Sequence, residues 1–122
     1  MNMDWRMRLE EAGVDVAQAL ERMMGSEALF SRLMGKFLED PNYAALCAAL
    51  ERADTAGATA AAHTLKGICG NLSMTALLQL FTRQVEALRG GDLASARAMM
   101  AQITPAYEAV AAAIREQSDE VG

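Results

Sequence analysis

The stretch Ala61-Ala62-His63-Thr64-Leu65-Lys66-Gly67-Ile68-Cys69-Gly70-Asn71-Leu72 decides how this chain is read. It holds the one histidine of the 122 residues, inside a segment with helical periodicity. At about 100° per residue, Lys66 and Gly67 share a helical face with His63. Gly70 extends that face, and Ala56, Thr59 and Ala60, all small, precede His63 on it. Ala61, Leu65, Ile68 and Leu72 follow one another at i, i+4, i+7 and i+11 on the opposite side, a stripe that a core would bury. His63 therefore points away from the core, with a cation beside it and bare backbone one turn on. An imidazole nucleophile, a phosphate-neutralising ammonium and room for a partner fit together on such a face.

Glycine inside a helix costs roughly 1 kcal/mol relative to alanine, and close approach of another backbone or a bulky group is the usual compensation. The plainer reading is a surface histidine with glycines marking a helix end. The position of His63 opposite the apolar stripe, with Lys66 and Gly67 at facing offsets, favours the functional face.

Working outward, the chain reads as helices with short joints. Asp4 caps Trp5 to Ala12, closed by Gly13; Asp15 caps Val16 to about Met24, closed by Gly25. Ser26 caps a helix to Glu39, and Pro41 starts the next, over Asn42 to Ala53. Asp54 or Thr55 begins the histidine helix, which runs to about Asn71. Ser73 caps Met74 to Arg89, with Leu77, Leu80, Phe81, Val85 and Leu88 inward and Gly90-Gly91 as the stop. Asp92 caps a last helix to about Gln117, kinked at Pro105, and Ser118 to Gly122 should fray. The expected fold is all-α: an antiparallel up-down-up-down four-helix bundle with short N-terminal helices across one end, forming a single domain over 1–122.

Composition agrees. Apolar residues make up 52% and aromatics only 5%, which suits closely packed helices better than a sheet. Met23, Met24, Met34, Met99 and Met100 fall in helical segments and read as core filler, with a methionine-rich docking surface as the alternative. The net charge of −5, without a basic block, gives no footprint for nucleic acid. There is no apolar run of 18 residues to span a membrane, and the N-terminus lacks a signal-peptide core, so cytoplasmic residence is expected. Cys47 and Cys69, with a single histidine in the chain, do not make a zinc pattern. A Cys69–His63 catalytic pair is disfavoured because an offset of six turns the two side chains well apart around the helix. No Gly-x-x-x-x-Gly-Lys-Ser/Thr loop is present to hold a nucleotide.

His63-Thr64-Leu65-Lys66-Gly67 with Gly70-Asn71-Leu72 resembles the signature of the histidine-containing phosphotransfer (HPt) domain family. Gly13-Val14-Asp15-Val16, the segment Ser26 to Asp40, and Leu88-Arg89-Gly90-Gly91-Asp92 resemble that family's opening segment, first long helix and last turn. The resemblance implies that His63 is phosphorylated in a phosphorelay, taking the group from a receiver-domain aspartyl phosphate and passing it to another receiver. Lys66 would neutralise phosphate charge, while Gly67, Gly70, Ala56, Thr59 and Ala60 would form the docking face. It further implies a carrier that is not an enzyme, with no cofactor of its own and Mg²⁺ on the partner receiver. Response-regulator receivers and a sensor histidine kinase would be the partners, and the chain would be a monomer. The family commonly has glycine at the position of Ser73, which bears on the tightness of the next turn. Some members bond the phosphohistidine region with a glutamine from the next helix; a gap-free count reaches Val85, and Gln84 beside it is the weak candidate. Two rival readings are a non-catalytic helical adaptor and the phosphate-accepting domain of a larger histidine kinase. The termini read as those of a stand-alone chain.

Overall fold

The computed structural model describes the chain through residue 121, and its side chains through Gln117. Among the described residues there are eight helices and no strand. They are α1 (Met3–Glu11), α2 (Val16–Arg22), α3 (Glu27–Glu39), α4 (Asn42–Glu51), α5 (Thr55–Asn71), α6 (Thr75–Arg89), α7 (Leu93–Ala98) and α8 (Met100–Val121). The tail expected to fray, Ser118 to Gly122, lies outside the residues with described side chains.

The helix starts follow the sequence closely. Asp15, Ser26, Asp54 and Asp92 each accept the backbone N–H three residues on, from Gln18, Leu29, Gly57 and Ser95. Each such cap stabilises by about 1 kcal/mol. Two starts differ from expectation. Asn2, not Asp4, caps α1, accepting from the backbone N–H groups of Asp4 and Trp5 and leaving Asp4 in the first turn. Ser73 does not cap α6: it stands at φ +54° and its hydroxyl makes no cap bond. It closes α5 instead. Ser73 N–H donates to Gly70 O and Met74 N–H to Cys69 O, the paired bonds of a left-handed helix stop. Gly13, Met24, Ala53 and Gly91 end α1, α2, α4 and α6 with the same pair of bonds. Gly90 stays at φ −80°, so the stop of α6 falls on Gly91.

The last helix also differs. It is broken at Met99 into α7 and α8, and Pro105 lies inside α8. Pro105 has no N–H to offer the carbonyl four residues back, Ala101. With the break at Met99, that lost bond falls within the first turns of α8.

The helices pack in a circuit: α4 on α5, α5 on α6, α6 on α8, and α8 on α3. Along α5, Leu33, Phe37 and Asp40 of α3 and its end lie by Ile68, Asn71 and Leu72. Tyr107 of α8 meets Phe37 and stacks on Tyr43 at 3.8 Å. The N-terminal helices brace the end where α5 turns into α6. Asp15 N–H donates to Ser73 O, Thr75 Oγ1 to Gly13 O, and Arg22 Nη1 to Gly70 O at 2.7 Å. Buried Trp5 donates Nε1–H to Ala113 O of α8 and meets Phe30 edge-on.

The core takes Met23, Met34 and Met74, while Met99 and Met100 are half-buried. Met24 is the exception to the filler reading. It occupies the left-handed stop of α2 and is 96% exposed. Leu80 is half-buried; Leu77, Phe81, Val85 and Leu88 are buried as the pattern requires.

Candidate functional site

The site is one face of α5. Because α5 is wedged between α4 and α6, more of its circumference is buried than one stripe: Ala58, Ala61, Ala62, Leu65 and Cys69 are buried. Leu72 is buried just past its end, and Ile68 is half-buried. His63, at mid-helix, is exposed. Ala56, Ala60 and Gly67 are also exposed, and Thr59, Lys66 and Gly70 are half-covered. Thr59 and Thr64 return their hydroxyls to the carbonyls of Thr55 and Ala60, so neither offers its proton outward.

The two glycines differ. A Cβ added to Gly67 would meet nothing within 4 Å, so no internal packing demands glycine there. At Gly70 a Cβ would lie 3.8 Å from Leu78 Cδ1, an ordinary contact, and the Gly70 carbonyl is held by Arg22. Gly70 thus belongs to the seam between α5 and α6, while Gly67 is open surface. Lys66, one turn from His63, makes no ion pair among those of the described residues.

Gln84 is not at the site. It is fully buried, and its Nε2 donates to Ala96 O at 3.0 Å and to Met100 Sδ at 3.3 Å. It faces α7 and α8, on the far side of α6 from His63, and Val85 is buried beside it. The residue of α6 that does reach His63 is Arg89, whose Nη2 lies 3.4 Å from His63 Nδ1. In the sequence Arg89 reads only as the last residue of α6 and part of a turn. The signal was there. Folding the chain back near Ser73 sets Gly70 against Leu78 and brings His63 opposite the middle eighties. Side chains lean toward the N-terminus of their helix, so a long residue one turn beyond reaches back to His63.

A guanidinium only donates. The neutral His63 ring that accepts from Arg89 at Nδ1 therefore carries its proton on Nε2. The nearby thiol is chemically quiet: burial, with a smaller contribution from Asp40, pushes Cys69 up to about 12. It is a core group rather than a partner for His63. Among the described residues no three of His, Cys, Asp and Glu gather to hold a metal ion, and no helix is long and apolar enough to cross a membrane.

A family model described as Hpt domain matches residues 32–113, from within α3 to within α8. The matched range covers more than half of the chain and includes all of α5 and α6; Gly13-Val14-Asp15-Val16 falls outside it. No curated protein and no solved structure matches the chain.

Proposed function

The chain belongs to the Hpt domain family, whose members carry phosphoryl groups in two-component phosphorelays, and from that premise we propose that His63 is the residue phosphorylated. The observation that carries this reading is the exposure of the one histidine at mid-helix, beside Lys66 and the open surface at Gly67. The ring engaged by Arg89 at Nδ1 carries its proton on Nε2; once that contact opens and the proton sits on Nδ1, Nε2 is the nitrogen that attacks. Its lone pair forms a bond to phosphorus as the bond from phosphorus to the receiver's aspartyl oxygen breaks, and the carboxylate leaves as an anion. The attacking ring must hold its remaining proton on Nδ1, so the contact with Arg89 opens as transfer begins; that proton then leaves to water. Onward transfer runs the same steps in reverse to a second receiver.

Phosphoryl transfer needs alignment and charge neutralisation more than covalent help. Lys66 supplies a cation at one helical turn, and Mg²⁺ belongs to the receiver's own active site. Gly67, Ala60 and Ala56 leave the helix surface low enough for a receiver's loops to come near His63. Gly70 sets the helix seam behind that surface, and Thr59 lines its flank.

The test is to mix the protein with a phosphorylated receiver and follow the label. Loss from the receiver and appearance of acid-labile label on this chain are expected, with onward transfer when a second receiver is added. ATP alone should leave the chain unlabelled. A chain that takes no label from any receiver would favour the adaptor reading.

A further inference from the structure

The turn between α2 and α3 carries two side chains that the packing of the fold does not account for, Arg22 and Met24. We propose that they form an edge of the receiver-docking surface and select receivers that present an exposed carboxylate, beside an apolar patch, about 10 Å from the phosphorylated aspartate. The inference rests on the carrier reading of His63 and adds to it what a receiver must present. The family model matches residues 32–113, so this turn lies outside the matched range.

Arg22 ends α2, yet its Nη1 donates to Gly70 O of α5 at 2.7 Å. Gly70 follows His63 by seven residues on the same face, or about 10 Å at 1.5 Å per residue. The guanidinium is thereby fixed at the edge of the open surface around Gly67. The Gly70 carbonyl already accepts from Ser73 N–H, so the bond orients Arg22 more than it completes the helix end. It uses one N–H of the guanidinium. The other donors have no carboxylate partner among the described residues, and Arg22 is exposed. A partner's carboxylate fits that free fork. The chain carries a net charge of −5, which repels an acidic partner at a distance, so a cation fixed at the docking edge bears on its approach.

Met24 stands two residues on. It is 96% exposed and holds φ +56°, a conformation that glycine adopts freely. Internal packing does not call for a methionine there, and the backbone argues against one. An unbranched thioether on an exposed turn, next to a fixed cation, suits a surface that adapts to a partner. The occupant is the receiver because the edge is continuous with the face that presents His63. A partner that buries about 800 Å² of this chain covers a disc of roughly 16 Å radius around the histidine. That disc takes in the Arg22 guanidinium and reaches the turn that holds Met24.

The experiment loads a panel of isolated receiver domains from the same genome with acetyl phosphate. It measures transfer to the parent, Arg22→Glu, Met24→Ser and Arg83→Glu. Phosphoramidate, a small donor that needs no docking, loads each of them in parallel. With the receiver that serves the parent best, Arg22→Glu should raise KM about tenfold with kcat little changed, and should flatten the dependence of the rate on salt. Met24→Ser should raise KM about threefold, part of the worth of burying a methionine. Arg83→Glu, whose charge lies beside Ser95 and Gln102, should follow the parent. Loading by phosphoramidate should be alike in all. Reversing one exposed Asp or Glu of that receiver to Lys should restore Arg22→Glu, a rescue that a merely structural role for Arg22 does not give. An unchanged KM in Arg22→Glu or Met24→Ser, an equal change in Arg83→Glu, a matching loss of phosphoramidate loading, or no receiver reversal that restores Arg22→Glu would each overturn the proposal. A parent that takes label from phosphoramidate but from no receiver would overturn the carrier reading itself, whereas normal receiver transfer in every variant overturns this inference alone.

Discussion

Replacing Ser73 with glycine should stabilise the protein. Ser73 is held at φ +54° in the turn between α5 and α6. A side chain in that left-handed region costs about 1–2 kcal/mol, and glycine adopts it freely. The Ser73 hydroxyl is also buried with no hydrogen-bond partner among the described residues, a penalty of up to about 1–3 kcal/mol. Against these gains, glycine widens the unfolded ensemble, at about 0.4–1 kcal/mol, and gives up one buried methylene, worth about 0.8 kcal/mol. The bonds that shape the turn run from Ser73 N to Gly70 O, Met74 N to Cys69 O, and Asp15 N to Ser73 O. All three are main-chain bonds, so the substitution spares them. The balance is a gain of about 1 kcal/mol or somewhat more, or about 3–6 °C in melting temperature for a domain of this size. The assay is thermal and urea unfolding of the parent, Ser73→Gly and Ser73→Ala. Alanine removes the hydroxyl but keeps Cβ at positive φ, so it should gain less than glycine. A glycine variant less stable than the parent would refute the reasoning. An alanine variant that gains as much would move the cost from the backbone to the hydroxyl.

Lys66→Ala should leave melting unchanged and slow transfer about tenfold or more, since a charge-assisted contact to phosphate is worth about 1–3 kcal/mol; rates within a factor of two of the parent would make Lys66 a mere surface residue. Gly67→Gln should melt at or above the parent, because its side chain enters open space and glycine is about 1 kcal/mol worse than alanine in a helix. The same variant should accept phosphate poorly from a receiver; normal transfer would show that the partner does not approach over this turn. Cys69 links stability to pH. Its thiol moves from an ordinary 9.0 to about 12 in the folded state, so the folded protein keeps a proton that the unfolded chain loses. Stability from this group is whole below about pH 9 and falls as pH rises toward 12. Urea unfolding at pH 8 and 10.5 should show that decline, and Cys69→Ala should show a shallower one; equal slopes would exclude the thiol as its source.

Much of this was legible because helix boundaries are local chemistry. Asp15, Ser26, Asp54 and Asp92 are caps by side-chain type and position. The apolar stripe opposite His63 sets its outward direction before any packing is known. The misreadings share a cause: a residue type that suits two roles. Ser73 looks like a cap and serves as a left-handed stop, because the bonds to Gly70 and Cys69 fix the turn one residue earlier. Asp4 gave way to Asn2 for a similar reason, since either could cap the same first turn. Met24 has the apolar character of a core residue, yet sits where the chain leaves α2. Pro105 marks a helix irregularity, but the chain places it at Met99, upstream of the proline. Spacing along α6 alone does not separate Gln84 from Arg89, although folding the chain back near Ser73 points to the end of α6. Which of them meets His63 depends on how α6 is rotated against α5, and that rotation is set by packing of Leu77, Phe81, Gln84 and Leu88 in the core.

The most direct measurement is phosphoryl transfer to the parent and to His63→Gln from the same phosphorylated receiver. His63 is exposed, so the variant should keep its helical spectrum and melting temperature. The parent should gain one acid-labile, base-stable phosphoryl group, and His63→Gln should gain none. Label on a folded His63→Gln chain, or a folded parent that takes no label while the receiver remains phosphorylated, would contradict the assignment of His63 as the carrier.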